Sequence, residues 1–185
     1  HPLVILNVWV ISHTLVDDQG IKHIANVMPK LRYLNIEGCM YLTDVGLAHV
    51  SENCPYLEEI IISGGLDKNG SNITSGALHK LSLDCPQLKS ISLCQVTDRS
   101  VIALSENCNQ LQEVFIDECA HLTSASINSL LLNCRKIYTL HASTCHQISS
   151  INLEPFEKIP NMLDCYFPKK SSDFKCTCLE INMEM

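Results

Sequence analysis

The segment Leu31-Arg32-Tyr33-Leu34-Asn35-Ile36-Glu37-Gly38-Cys39-Met40-Tyr41-Leu42-Thr43-Asp44-Val45-Gly46-Leu47-Ala48-His49-Val50-Ser51-Glu52-Asn53-Cys54 changes its apolar period midway. Leu31, Leu34 and Ile36 end in strict alternation, the pattern of a short strand. Leu47 and Val50 stand at helical spacing behind Thr43-Asp44, a capping residue followed by an acid. Strand, turn, helix and return are therefore written into one stretch.

The same pattern recurs along the chain, and internal repetition decides the architecture before any single element does. A backward shift of 26 residues finds Ile5, Val8, Val10, His13, Val16, Asp17, Asp18, Ile21, Ile24 and Met28. Farther on, Leu111 starts a unit with Val114, Ile116, Cys119, Leu122, Thr123, Ile127, Leu130 and Cys134, and Ile137 starts one with Leu140, Ala142, Cys145, Ile148, Leu153 and Phe156. Two middle units differ in length. The unit from Leu57 carries about five extra residues around Leu66 to Asn72, and the unit from Leu88 is about three shorter. A seventh unit starts at Leu163 and breaks at Pro168, so Leu163 to Phe167 is expected as an end strand.

A slice of this kind cannot bury its own apolar edge. Stacked neighbours close one continuous core, and stability comes largely from the interfaces between them. The expected organisation is residues 1–168 as repeats with a degenerate terminal strand and residues 169–185 as a tail, either a cap or disordered. The chain opens on His1 in mid-pattern, which suggests that an upstream part of a longer protein precedes it.

Composition narrows the function classes. Of 185 residues, 46% are hydrophobic and 18% charged, which suits a packed core and not a disordered polymer. A formal net charge of −7 with scattered Lys and Arg disfavours nucleic acid, whose binding needs clustered cations. The longest apolar run, Pro2 to Ile11, is broken by Asn7 and has neither the length of a membrane span nor the flanks of a signal peptide. Eleven cysteines in a chain this rich in Leu and Ile are read as reduced and buried, pointing to a cytoplasmic location with the nucleus as an alternative.

Those cysteines fall in two columns. Cys39, Cys119 and Cys145 close strands, while Cys54, Cys85, Cys108 and Cys134 close helices. One sulfur per unit spreads along the stack instead of converging as a metal site requires. Neither His141, Cys145 and His146 nor Cys165, Cys176 and Cys178 has a recognised finger spacing. With no Gly-rich phosphate loop, His-Glu-x-x-His or Gly-x-Ser-x-Gly in the chain, no catalytic, cofactor-binding or metal-ligating residue is assigned and no enzyme activity is expected.

The unit with a first Cys closing the strand turn, as in Glu37-Gly38-Cys39-Met40-Tyr41-Leu42-Thr43-Asp44, and a second Cys with its proline, as in Cys54-Pro55 and Cys85-Pro86, resembles the cysteine-containing leucine-rich repeat. The resemblance runs from about Ile5 to Phe156. It implies an α/β solenoid of about six units, a ribonuclease-inhibitor-like horseshoe with parallel strands on the concave face and helices on the convex face. Repeats of this subtype are similar to those of F-box leucine-rich-repeat proteins, in which an F-box binds Skp1 of a cullin ubiquitin ligase and the repeats hold the substrate. The chain itself contains no F-box, so a Skp1/cullin partner is implied only if one lies upstream. Related repeat-only proteins act as antagonists, scaffolds or ciliary assembly parts.

Alternation also names the surface a protein partner would meet, because residues between the core leucines point away from the core. One column is Asn7, Tyr33, Glu59, Ser90, Glu113 and Thr139; the next is Trp9, Asn35, Ile61, Ser92, Phe115 and His141; a third is Ile11, Glu37, Ser63, Cys94, Asp117 and Ser143. From these, Trp9, Tyr33, Asn35, Glu37, Glu59, Ile61, Glu113, Phe115, Asp117 and His141 are the expected partner-binding residues. Apolar anchors ringed by charge have the composition of an interface hot spot and its rim. The insertion Gly64 to Asn72 is rich in turn formers and would bulge from the strand-to-helix edge, as a partner contact or as a tolerated surface insertion. Asn72-Ile73-Thr74 matches a glycosylation acceptor, which the reduced cysteines disfavour.

Overall fold

A computed structural model of the chain describes residues 5–7, 16–62, 73–142, 145, 147–148 and 164–166. Strands and helices alternate: β1 (Ile5–Asn7), α1 (Asp18–Val27), β2 (Tyr33–Asn35), α2 (Asp44–Asn53), β3 (Glu59–Ile62), α3 (Ser75–Asp84), β4 (Ser90–Cys94), α4 (Asp98–Asn107), β5 (Glu113–Asp117), α5 (Ser124–Asn133), β6 (Thr139–His141) and β7 (Asp164–Tyr166). The strands form one seven-stranded sheet in chain order, every neighbouring pair parallel. Each helix packs against the next, so strands and helices make two layers.

The helices begin where the caps predict. Asp17 and Thr43, Thr74, Thr97 and Thr123 stand in extended backbone at the five N-caps, and four of them accept a backbone N–H of the first turn. Each helix stops after ten residues at Met28, Cys54, Cys85, Cys108 or Cys134, whose own N–H still bonds back into the helix.

Between the layers, Leu31, Leu57, Leu88, Leu111 and Ile137 form a column with no exposed surface, and Leu34, Ile60, Ile91, Val114 and Leu140 form a second. Burying one such side chain contributes about 1.5–3 kcal/mol relative to leaving it in water. The cysteine column belongs to the same core. Cys54, Cys85, Cys108 and Cys134 are fully buried, and each directs its Sγ at two carbonyls of the preceding unit. For Cys134 these are Ser105 and Cys108, at 3.6 and 3.5 Å. Burial pushes these thiols up, Cys85, Cys108 and Cys134 to about 12.

Two registers differ from those read in the sequence. The 26-residue shift sets Asn7 opposite Tyr33, whereas β1 pairs Asn7 with Asn35 and Ile5 with Tyr33; α1 keeps the shift, Asp18 matching Asp44. A two-residue slip leaves alternation intact, so the pattern in this continuous apolar run cannot detect it. At the other end, β7 sets Cys165 opposite Leu140, one residue from the pairing implied by a unit starting at Leu163. The extra residues of the third unit fall between β3 and α3, and the short unit has only residues 95–97 between β4 and α4. The insertion 64–72 lies outside the described residues.

Candidate interaction face

Every second strand residue points into the core, and those between them form rows across the sheet. Register fixes one row as Tyr33, Glu59, Ser90, Glu113 and Thr139, and the next as Asn35, Ile61, Ser92, Phe115 and His141. All of these except Asn35 are half-buried, while Leu34, Ile60, Ile91, Val114 and Leu140 beside them are sealed. Phe115 and His141 sit as neighbours with ring centroids 6.2 Å apart and planes tilted by 42°.

Asn35 corrects the sequence reading. It retains only 2% of its surface, and its Oδ1 accepts the Glu37 N–H at 2.9 Å. A short amide side chain folds back onto the backbone just past it, the Asx-turn habit of asparagine, and closes the end of β2 instead of facing a partner. Glu37 itself is exposed in that turn, beyond the strand. Asp117 ends β5, and Trp9 lies outside the described residues. Among the expected set, Tyr33, Glu59, Ile61, Glu113, Phe115 and His141 are thus brought onto one continuous strand face.

Charge is unevenly matched on this face. At the strand-entry edge Glu58 pairs with both Arg32 and Lys89, the latter at 2.9 Å. Burial raises its carboxyl, but the two cations more than offset that and hold it below the usual carboxylate value. One residue farther on, Glu59 has no such partner among the described residues: burial and the charge of Glu113 both push it up. Glu113 instead accepts the hydroxyl of Tyr138 and, at 3.4 Å, that of Ser90. The hydrogen bond to Glu113, burial and the charges of Glu113 and Glu59 raise Tyr138 in turn.

Arg32, Lys89 and Tyr138 escaped the sequence reading because they precede the strands, outside the alternating pattern. Their signal was nevertheless present: Arg32, Glu58, Lys89, Gln112 and Tyr138 each follow the first leucine or isoleucine of a unit. Among the described residues no three His, Cys, Asp or Glu side chains are grouped to hold a metal ion, and no helix is long and apolar enough to cross a membrane.

Parallel strands joined through helices, in chain order and with leucine columns between the layers, define the fold as that of leucine-rich-repeat proteins. Two solved structures share it. Internalin C2 from Listeria monocytogenes matches 79% of this chain and 55% of its own at a TM-score of 0.54 and 23% identity. Rad7, solved in complex with Elc1 in yeast, matches 80% of this chain and 43% of that one at 0.51 and 16% identity.

Among curated proteins, the chain is similar to the antagonist of mitotic exit network protein 1 of Eremothecium gossypii, 30% identical over 123 residues, and of Candida glabrata, 28% over 122 residues. These alignments take in 65% and 64% of this chain but 31% and 23% of those proteins, so the chain spans less than a third of either. F-box/LRR-repeat protein 21 of Ovis aries is a distant homologue, 33% identical over 72 residues, which are 37% of this chain and 17% of that protein. No family model matches the chain.

Proposed function

We propose that this chain is a protein-interaction module, and within that class the substrate-binding repeat domain of an F-box-type ubiquitin ligase receptor. The observation that carries the reading is the strand face: Ile61, Phe115 and His141 in one row, Glu59 and Glu113 in the row beside it, all half-exposed on a rigid sheet. About six units would curve into a horseshoe with this face concave, on the order of 25 Å wide at ~4.8 Å per strand, which suits a peptide or the edge of a domain. The chain would hold a protein target while chemistry proceeds on other subunits, so it is not itself an enzyme and needs no cofactor. Its acidic balance is consistent with a protein partner in the cytoplasm or nucleus, not nucleic acid or membrane.

The test uses the complete natural protein that contains this chain. Co-precipitation of Skp1 and a cullin, together with lower target abundance that recovers when the protein is removed, is expected. A complete protein with no F-box that recovers no Skp1 overturns the ligase reading.

A second reading is a repeat-only scaffold or inhibitor without ligase attachment. It is favoured by the similarity to two proteins named as antagonists of the mitotic exit network. Stoichiometric capture of a regulatory partner without cullin subunits, with no change in that partner's turnover, would support it over the first.

A further inference from the structure

The rows that cross the sheet rise and fall. On β4 the outward side chains are Ser90, Ser92 and Cys94, all short; Glu59 and Ile61 flank the two serines on β3, and Glu113 and Phe115 on β5. At roughly 4.8 Å per strand, the two walls stand about 10 Å apart over this low floor, room for one extended chain or one long side chain. No described lysine or arginine is paired with either Glu59 or Glu113, whereas Glu58 next door holds two cations. Among the described residues, no cation matches the negative charge of the trough.

We propose that the trough along β4 docks an extended, positively charged segment of a protein partner, with a Lys or Arg between Glu59 and Glu113 and an apolar side chain against Ile61 and Phe115. This rests on the strand face being the interaction surface and names the chemistry of its occupant. A carboxylate on each side of one cation, partly withdrawn from water, gives charge-assisted hydrogen bonds that an exposed pair lacks. The Ile61 and Phe115 walls supply apolar area that a purely electrostatic contact would leave unused. Burial and, after it, the charge of Glu113 raise Glu59, and a bound cation would relieve the repulsion between the two carboxylates.

The probe is a fluorescein-labelled peptide of about six residues, long enough to follow β4 at ~3.3 Å per residue, with two lysines and one leucine among serines. Titrated with the 185-residue chain, it is expected to bind, and to lose about tenfold in affinity in Glu59→Gln/Glu113→Gln and again on raising salt. Glu52→Gln/Glu106→Gln, altered on α2 and α4, is the matched control and keeps full affinity; both double variants are first shown to melt cooperatively. Failure of the lysine peptide to bind, equal binding of a peptide with glutamate for lysine, or full affinity in Glu59→Gln/Glu113→Gln overturns the proposal. An uncharged leucine and serine peptide that binds at least as well, and weakens with Phe115→Ala, overturns the cationic occupant while keeping the face. Loss of no peptide's binding in Phe115→Ala and His141→Ala variants overturns the face as well.

Discussion

The carboxylate of Asp98, in the first turn of α4, clamps Thr123 at the N-cap of α5, accepting its backbone N–H at 2.8 Å and its hydroxyl at 2.6 Å. Asp18 holds Thr43 in the same way at 2.9 and 2.6 Å, and Asp44 holds Thr74 at 2.7 and 2.6 Å. Where α3 begins with Ser75 instead of aspartate, the clamp shrinks to one hydroxyl contact with Thr97 at 3.0 Å, and Thr97 makes no side-chain cap bond. The Thr-Asp step is thus two devices in one: Thr starts its own helix and Asp fixes the start of the next.

Breaking the clamp costs coupling between units. Asp98→Asn and Thr123→Val are each expected to destabilise by about 1–3 kcal/mol, and the double variant by less than their sum because they remove one shared contact. Urea denaturation of the four proteins measures this; strictly additive losses would mean that the two residues do not interact.

Gly46 makes the first clamp possible by close approach. Its N–H donates to Asp18 Oδ1 at 2.9 Å, and a Cβ there would lie 2.5 Å from that oxygen and 2.9 Å from Leu42 Cδ2. Gly46→Ala would gain helix propensity elsewhere in a helix, yet here a loss of about 1–3 kcal/mol is expected, since the carboxylate must retreat from both Gly46 and Thr43. A rise in melting temperature for Gly46→Ala would contradict the packing of α1 on α2.

Acid should loosen the clamps. Burial pushes the Asp98 carboxyl up, but hydrogen bonds from Thr123 and Ser126 outweigh it and hold the group below its usual value. A carboxyl depressed by folding contributes stability above its unfolded pKa of about 3.9, and that contribution disappears as pH falls through the lower folded value. The stability gap between the natural chain and Asp98→Asn is therefore expected to be full at pH 7 and to shrink as pH falls through the lowered folded value of Asp98.

Glu59 has the opposite sign. Burial and Glu113 raise it, so the cost to folding sets in as pH rises through its unfolded value and is complete above the higher folded value. Glu59→Gln is expected to stabilise the chain at pH 7 by up to about 0.5–1 kcal/mol, allowing for solvent screening, with no gain near pH 3, where the carboxyl is already neutral. Thermal melts at both pH values check this, and equal gains at both would remove charge as the cause.

Two residues of the same row, Asn35 and Phe115, make contrasting predictions. Asn35→Ala removes a buried cap on the Glu37 N–H and should cost about 1–2 kcal/mol of stability. Phe115→Ala, altering a half-exposed ring, should leave stability nearly intact and reduce partner binding. A chain in which Asn35→Ala melts normally would return Asn35 to the binding surface.

The sequence by itself determined the repeat, because a unit that changes period from 2 to 3.6 can bury its apolar residues only as strand followed by helix, stacked on its neighbours. The leucine columns, the helix-closing cysteines and most of the outward rows follow from that periodicity. Tertiary structure alone decided whatever alternation does not encode. A two-residue slip at Asn7 preserves the pattern, the turn at Asn35 folds an outward amide back on the chain, and the Asp98 carboxylate finds Thr123 only because α4 and α5 lie side by side. The strand register and the clamp join residues of different units, set by the distance between packed elements and not by the spacing of residues along the chain.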